Sequence, residues 1–120
     1  MAMDNCIFCK IARGQIPSKK VYEDADIFAF HDINPQAPVH FMMIPKRHIP
    51  TLADATIDDA GLLGRMLALS GKLAREQGLP EGYRTIINTG RIGRQEVMHL
   101  HMHVLGGPEP LGRMMPKPGA

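Results

Sequence analysis

Apolar positions along this 120-residue chain change period several times, and each change marks an element. In NCIFCKIARG (5–14) apolar residues at 7, 8, 11 and 12 fall at helical spacing, which predicts a short amphipathic helix closed by Gly14. Ile16-Pro17-Ser18 turns the chain. KKVYEDADIFAFHDI (19–33) predicts two strands, 21–23 and 27–31, around a tight Asp24-Ala25-Asp26 turn. Two prolines in NPQAP (34–38) exclude a helix or a central strand. VHFMMIP (39–45) then predicts a third strand with His40, Met42 and Ile44 on one face.

From 56 to 77 the period becomes helical, with apolar residues at 57, 60, 62, 63, 66, 67, 69, 73 and 74. Thr56 with Asp59 makes a capping box, and Gly78 supplies the stop before Leu79-Pro80. Gly61, Gly64 and Gly71 each cost up to ~1 kcal/mol relative to Ala inside a helix, which predicts close packing there against the sheet or a second subunit. YRTIINT (83–89) predicts a strand, GRIGRQE (90–96) a Gly-rich loop, and VMHLHMHVL (97–105) a last strand stopped by Gly106-Gly107-Pro108. Runs of strands divided by one long helix indicate an α+β fold with an antiparallel sheet.

The last predicted strand carries the chemistry. His99, His101 and His103 alternate with Met98, Leu100, Met102 and Val104, giving one imidazole face and one apolar face. Along a strand rising ~3.3 Å per residue the outer two histidines lie roughly 13 Å apart. A zinc ion needs nitrogen at about 2.0–2.1 Å, so one ion does not take all three, while two with a remote ligand remain open. If strand 39–45 is the neighbour at ~4.8 Å, His40 faces the triplet. Imidazoles so close cannot all be cationic, so with an ordinary pKa near 6.5 a mixture of neutral and charged rings is expected at neutral pH. A neutral ring can attack while a cationic one stabilises an anionic transition state or protonates a leaving group. Phosphoryl or nucleotidyl transfer has those demands, and the Gly-rich loop offers N–H groups for phosphate oxygens.

Charge narrows the partners. Fourteen basic residues against twelve acidic give a net charge of +2, with four Phe, two Tyr and no Trp. The basic residues are scattered, so a nucleic-acid polymer is not the expected partner, although a single nucleotide is a plausible ligand. No apolar run reaches membrane-spanning length and MAMDNCIFCK carries no signal sequence, so no membrane partner is expected. Two cysteines in that setting fit a reducing, cytoplasmic location. The length implies a single domain, 1–120, with a core of about 5–112 and a tail, 113–120.

HLHMHV followed by LGG resembles the signature of the histidine-triad (HIT) family. CIFCKI, IPSKKVYEDADIFAFHDINPQAPVHFMMIPKRHI and NTGRIGRQEVMHLHMHVLGG are similar, in the same order, to its Hint-like branch. The resemblance runs from about Cys6 to Gly112. It implies a five-stranded antiparallel sheet with one long and one short helix, and a homodimer whose sheets join into one, with the long helix and the tail at the interface. The implied chemistry is hydrolysis of purine nucleoside 5′-phosphoramidates and acyl nucleotidylates through a nucleotidyl-histidine, with no cofactor needed for catalysis.

By the same resemblance His101 is the nucleophile, His103 contacts the phosphate, and the backbone carbonyl of His99 fixes the nucleophile's tautomer. His40 is the fourth histidine of the site. Asp32 would accept the ribose hydroxyls, although it could also cap the Asn34-Pro35 turn. Phe8, Ile16, Phe30, His31 and Ile33 match the walls of the base pocket, and Phe8 and Phe30 read equally well as core. Asn88, Gln95, Glu96 and Val97 match positions around the phosphates, whereas Arg91 and Arg94 read as solvated loop charges or as phosphate ligands. Two positions depart from the pattern: Arg94 stands where many members have Gly, and Glu96 where some have Ser. A carboxylate beside a phosphate is unfavourable unless it meets a leaving amine or turns outward.

Cys6 and Cys9 have metal-ligand spacing, but one such pair gives two ligands where structural zinc wants four. Two buried cysteines on an amphipathic helix are the plain alternative. Part of the family has the same pair with a histidine after IPK and can carry zinc, which implies Cys6, Cys9, His48 and His99 as a structural site. Besides the phosphoramidase, a nucleotide-binding regulatory protein with incidental turnover and a dinucleoside polyphosphate hydrolase stay open.

Overall fold

The computed structural model describes residues 5–119; residues 1–4 and 120, at the ends of the expected domain, lie outside the described residues. In chain order the elements are helix α1 (Ile7–Ala12), strands β1 (Lys20–Glu23), β2 (Ile27–His31) and β3 (Val39–Pro45), helix α2 (Ala60–Glu76), and strands β4 (Arg84–Ile86) and β5 (Met102–Gly106). They build an α+β fold around one five-stranded sheet in the order β1-β2-β3-β5-β4, every neighbouring pair antiparallel. Among the described residues no helix is long and apolar enough to cross a membrane.

Period-two alternation sorts the sheet's side chains onto two covered faces. Ile27, Ala29, Phe41, Met43, Met102 and Val104 pack beneath Met66, Leu73 and Ala74 of α2. Phe28, Phe30, Met42 and Ile44 meet Phe8 and Ile11 of α1 on the other face. His40 and His103 alternate with the first set, so β3 and β5 carry them on the α1 side of the sheet.

Local chemistry fixes the ends. Asp24 accepts the N–H groups of Asp26 and Ile27 and closes the β1–β2 turn. The Thr56–Asp59 capping box forms as expected, but it opens a 3₁₀ turn at Ile57–Asp59 that leads into α2. A matching Thr51–Asp54 box, not anticipated, holds a second such turn at Leu52–Asp54. The Asp59 carboxylate also pairs with Arg47, tying the chain after β3 to the start of α2. Gly78 takes the left-handed conformation, φ +91°, that ends the helix.

Three expectations need correction. Gly61 and Gly64 face open space, and a Cβ at Gly71 would meet only Arg75 and Tyr83, so of the two expected partners the sheet is not the one they pack against. The apolar stripe read over 56–77 is wider than the buried face: Ile57, in the 3₁₀ turn, and Leu67 of α2 remain exposed. The strands expected at 83–89 and 97–105 shorten to Arg84–Ile86 and Met102–Gly106. In the latter case the His99 N–H turns back to the Val97 carbonyl at 2.8 Å, and Leu100 N–H reaches the Ile49 carbonyl at 2.7 Å. With those groups engaged, the chain before Met102 cannot join the ladder.

Candidate active site

The turn before β5 separates the three histidines that strict alternation would place in one row. His99 is fully buried and lies against α1, whereas His101 and His103 stay neighbours with ring centroids 5.0 Å apart. Phe8 meets the rings of both His101 and His99 edge-on, at 5.1 and 6.0 Å. The residue that the sequence offers as a pocket wall therefore lies beneath the histidines. Phe30 is likewise buried, in edge contact with Phe8 at 5.5 Å.

Hydrogen bonds assign the tautomers. Nδ1 of His101 lies 2.7 Å from the His99 carbonyl, an acceptor only, so Nδ1 carries the hydrogen and Nε2 keeps the lone pair. The Gln36 N–H donates to Nδ1 of His40 at 3.0 Å, which places the His40 hydrogen on Nε2. That hydrogen faces Nδ1 of His103 at 2.9 Å, with an Asp32 carboxylate oxygen at 3.4 Å. His103 accepts at Nδ1, so in its neutral form it presents an N–H at Nε2. Gln36 was not legible as a site residue; its one sequence signal is its place four residues before His40 in a proline-bounded loop.

Burial decides the charge of this pair. It pushes His103 down to about 4, with His101 and His40 beside it acting in the same direction and Asp32 opposing. Burial also lowers His40, again against Asp32. Burial thus favours the neutral form of both His40 and His103 in the free protein.

Around these rings the structure forms connected clefts. A cleft of about 720 Å³ is lined by Lys19, His31, Asp32, Ile33, Pro35 and His40. Asp32 and His40 also border a cavity of about 410 Å³ that contains Asn88, Glu96 and His103. Asp32 caps the turn as well, since its Oδ1 accepts the Asn34 N–H at 2.8 Å. Ile16 packs against the α1-side core, and Ile33 stands almost wholly in solvent. Val97 borders a further cavity with Glu96.

The Gly-rich loop is closed upon itself. Gly93, Arg94 and Gln95 donate their N–H groups to the Thr89, Arg91 and Gly90 carbonyls. The Gln95 side chain accepts the Gly90 N–H and donates to the Pro50 and Val97 carbonyls. Gln95 thus shapes the loop, and those four N–H groups are engaged within it and not offered to a phosphate. A Cβ at Gly93 would lie 2.6 Å from Thr89 backbone atoms, which explains a glycine there. Arg94 takes φ +62°, a conformation that costs a non-glycine residue roughly 1–2 kcal/mol. That is the physical content of its departure from Gly.

Behind His99 lies a second constellation. Ligand atoms of Cys6, Cys9, His48 and His99 all sit within 4.8 Å of one another. Nδ1 of His99 is 3.4 Å from Cys6 Sγ, 3.5 Å from Cys9 Sγ and 3.2 Å from His48 Nδ1. Tetrahedral zinc with bonds of about 2.3 Å to sulfur and about 2.0–2.1 Å to nitrogen has edges of roughly 3.3–3.8 Å, so the donor set fits. His99 Nε2 donates to the Pro45 carbonyl at 2.8 Å, leaving Nδ1 as the free lone pair.

Comparison with known proteins places the chain in a family. The model of the HIT domain family matches residues 13–109. The protein HitA of Neisseria gonorrhoeae is 51% identical over 106 residues, 88% of this chain and 99% of its own. The purine nucleoside phosphoramidase of Escherichia coli K12 is 49% identical over 117 residues, 97% of this chain and 98% of its own. The crystal structure of a HIT family hydrolase from Legionella pneumophila Philadelphia 1 superposes with a TM-score of 0.84 at 52% identity, covering 88% of this chain and 95% of that one.

The lowered pKa of the partly buried His103 makes stability depend on pH. Between its unfolded pKa of about 6.5 and its folded value of about 4, the unfolded chain binds more protons, so stability rises with pH in that window and is lost on acidification. Urea unfolding from pH 4.5 to 6.5 should show His103→Gln with a shallower slope than the wild type. The difference should be at most about 1.4 kcal/mol per pH unit, less in proportion to water contact. Equal slopes would mean that His103 is not held neutral by the fold.

Proposed function

The chain belongs to the HIT domain family, and from that premise we propose that it hydrolyses purine nucleoside 5′-phosphoramidates and acyl nucleotidylates through a nucleotidyl intermediate on His101. One observation carries the reading: the 2.7 Å bond from His101 to the His99 carbonyl aims an Nε2 lone pair beside the His40–His103 pair.

In the proposed reaction His101 Nε2 bonds to phosphorus, and the carbonyl of His99 stabilises the positive charge that develops on the ring. The phosphorus–nitrogen bond of the substrate breaks, and its electron pair leaves on the amine. An anionic phosphate in the cavity draws a proton onto the His40–His103 pair, against the burial that keeps it neutral, and that proton passes to the leaving nitrogen. Water then attacks phosphorus, giving a proton back to the His40–His103 pair, and the bond to His101 breaks with its electrons returning to Nε2. The cleft at His31, Asp32 and Ile33 would receive the nucleoside, with the Asp32 carboxylate turned to the ribose hydroxyls.

Cys6, Cys9, His48 and His99 would hold zinc, which supplies a structural cross-link between α1 and the His99 backbone when bound. Exposed Leu67 and the open Gly61 and Gly64 of α2, with exposed Ile57 in the turn before it, support a homodimer through that helix.

Two measurements test these readings. With an adenosine 5′-phosphoramidate, His101→Ala should lose at least about a thousandfold in turnover. Wild-type protein denatured rapidly in alkali should carry a nucleotidyl group on His101; full turnover by the variant, or an adduct on His103, contradicts the assignment. Elemental analysis should find about one zinc per chain, and Cys6→Ser should lose both metal and melting temperature. Wild-type protein free of metal, with a melting temperature indifferent to a chelator, contradicts the zinc centre.

A further inference from the structure

Three clefts lie in a row across the site, joined by shared residues. Asp32 and His40 belong both to the cleft assigned to the nucleoside and to the cavity that holds His103. That cavity also contains Glu96, which borders a third cavity of about 430 Å³ lined by Ile7, Val97 and Met98 together with Asn5, Cys6 and His48. A substrate with phosphorus beside His103 has two arms. The nucleoside arm takes the Asp32 side, so the departing group has to take the Glu96 side.

Glu96 is exposed and makes no ion pair among the described residues, whereas Asp32 is engaged with the Asn34 N–H and lies against His40. A carboxylate placed next to a phosphate raises the energy of an anionic substrate unless a positive charge sits between them. Beyond it, Ile7 and Met98 are about half exposed, at 46% and 50%, and present apolar surface beside the polar groups of Asn5 and His48.

We propose that Glu96 is the specificity-determining residue of the leaving-group side and selects departing amines that carry a positive charge a few bonds from the scissile phosphorus–nitrogen bond. The apolar surface of Ile7, Val97 and Met98 takes whatever lies beyond that charge. This rests on the phosphoramidase reading and adds the chemical class of the leaving group to it. It also accounts for Glu at a position where an uncharged residue would repel phosphate less.

The test uses three adenosine 5′-phosphoramidates of similar size, formed from ethane-1,2-diamine, propylamine and glycine, whose distal groups are cationic, neutral and anionic. The quantity read is the ratio of kcat/KM for the cationic substrate to that for the anionic one. Comparing wild type with Glu96→Gln cancels the intrinsic reactivity of each amine, together with any general effect of the substitution. The ratio should fall about tenfold in Glu96→Gln and further in Glu96→Lys, the scale of one charge pair near a protein surface. Added salt should compress the wild-type ratio and leave that of Glu96→Gln nearly unmoved. A ratio unchanged within about twofold by Glu96→Gln overturns the proposal while the phosphoramidase reading stands. No turnover of any of the three by wild type overturns the phosphoramidase reading, and this inference with it.

Discussion

The hydrogen bond from His101 Nδ1 to the His99 carbonyl is the constraint on which the rest of the site depends. It exists only because the chain leaves the sheet just before β5. In a regular ladder the His99 carbonyl would point to a neighbouring strand and could not face the ring two residues on. The turn from Val97 to His99 and the bond of Leu100 to Ile49 free that carbonyl and bury the His99 ring. One residue therefore has two duties: its backbone orients the His101 ring, and its side chain anchors the turn against Cys6, Cys9 and His48.

Both of its ring nitrogens serve that anchor. Pro45 accepts from Nε2 at the end of β3, and Nδ1 faces the thiols of α1. Gln95 holds the other side of the turn through the Pro50 and Val97 carbonyls. The result is a rigid seat under His101, with Phe8 edge-on beneath it. Rigidity of this kind lets an imidazole attack without first losing orientational freedom. The His40–His103 pair contributes the complementary property: desolvation lowers its affinity for a proton, and a neighbouring anion would raise it again.

Much of the scaffold was legible because local signals agreed with one another. β2 and β3 lie where alternation puts them, His40, Met42 and Ile44 share a face, and the Thr56–Asp59 box and Gly78 bracket the long helix. The triplet was read as one straight strand because apolar–polar alternation constrains side-chain direction and is silent on hydrogen-bond partners. The same silence concealed Gln36, which acts through its backbone, and the closure of the 89–95 loop, where N–H groups expected to face a phosphate bond within the loop. The four-residue thiol and imidazole cluster could be suggested only through family resemblance, since its members come from three separate segments. Arg94 is the converse case. Its departure from Gly was visible in the sequence, but its strain, φ +62°, became visible only with the backbone.

Tautomers are the most direct expression of this architecture, because each is set by one bond. Long-range ¹H–¹⁵N correlation spectra of the uniformly labelled protein at pH 7.5 distinguish the two neutral forms of every histidine. The account predicts His101 with its hydrogen on Nδ1, and His40, His99 and His103 with theirs on Nε2. A His101 found with its hydrogen on Nε2, or averaging between the two forms, would contradict it, because the His99 carbonyl would then not be holding that ring.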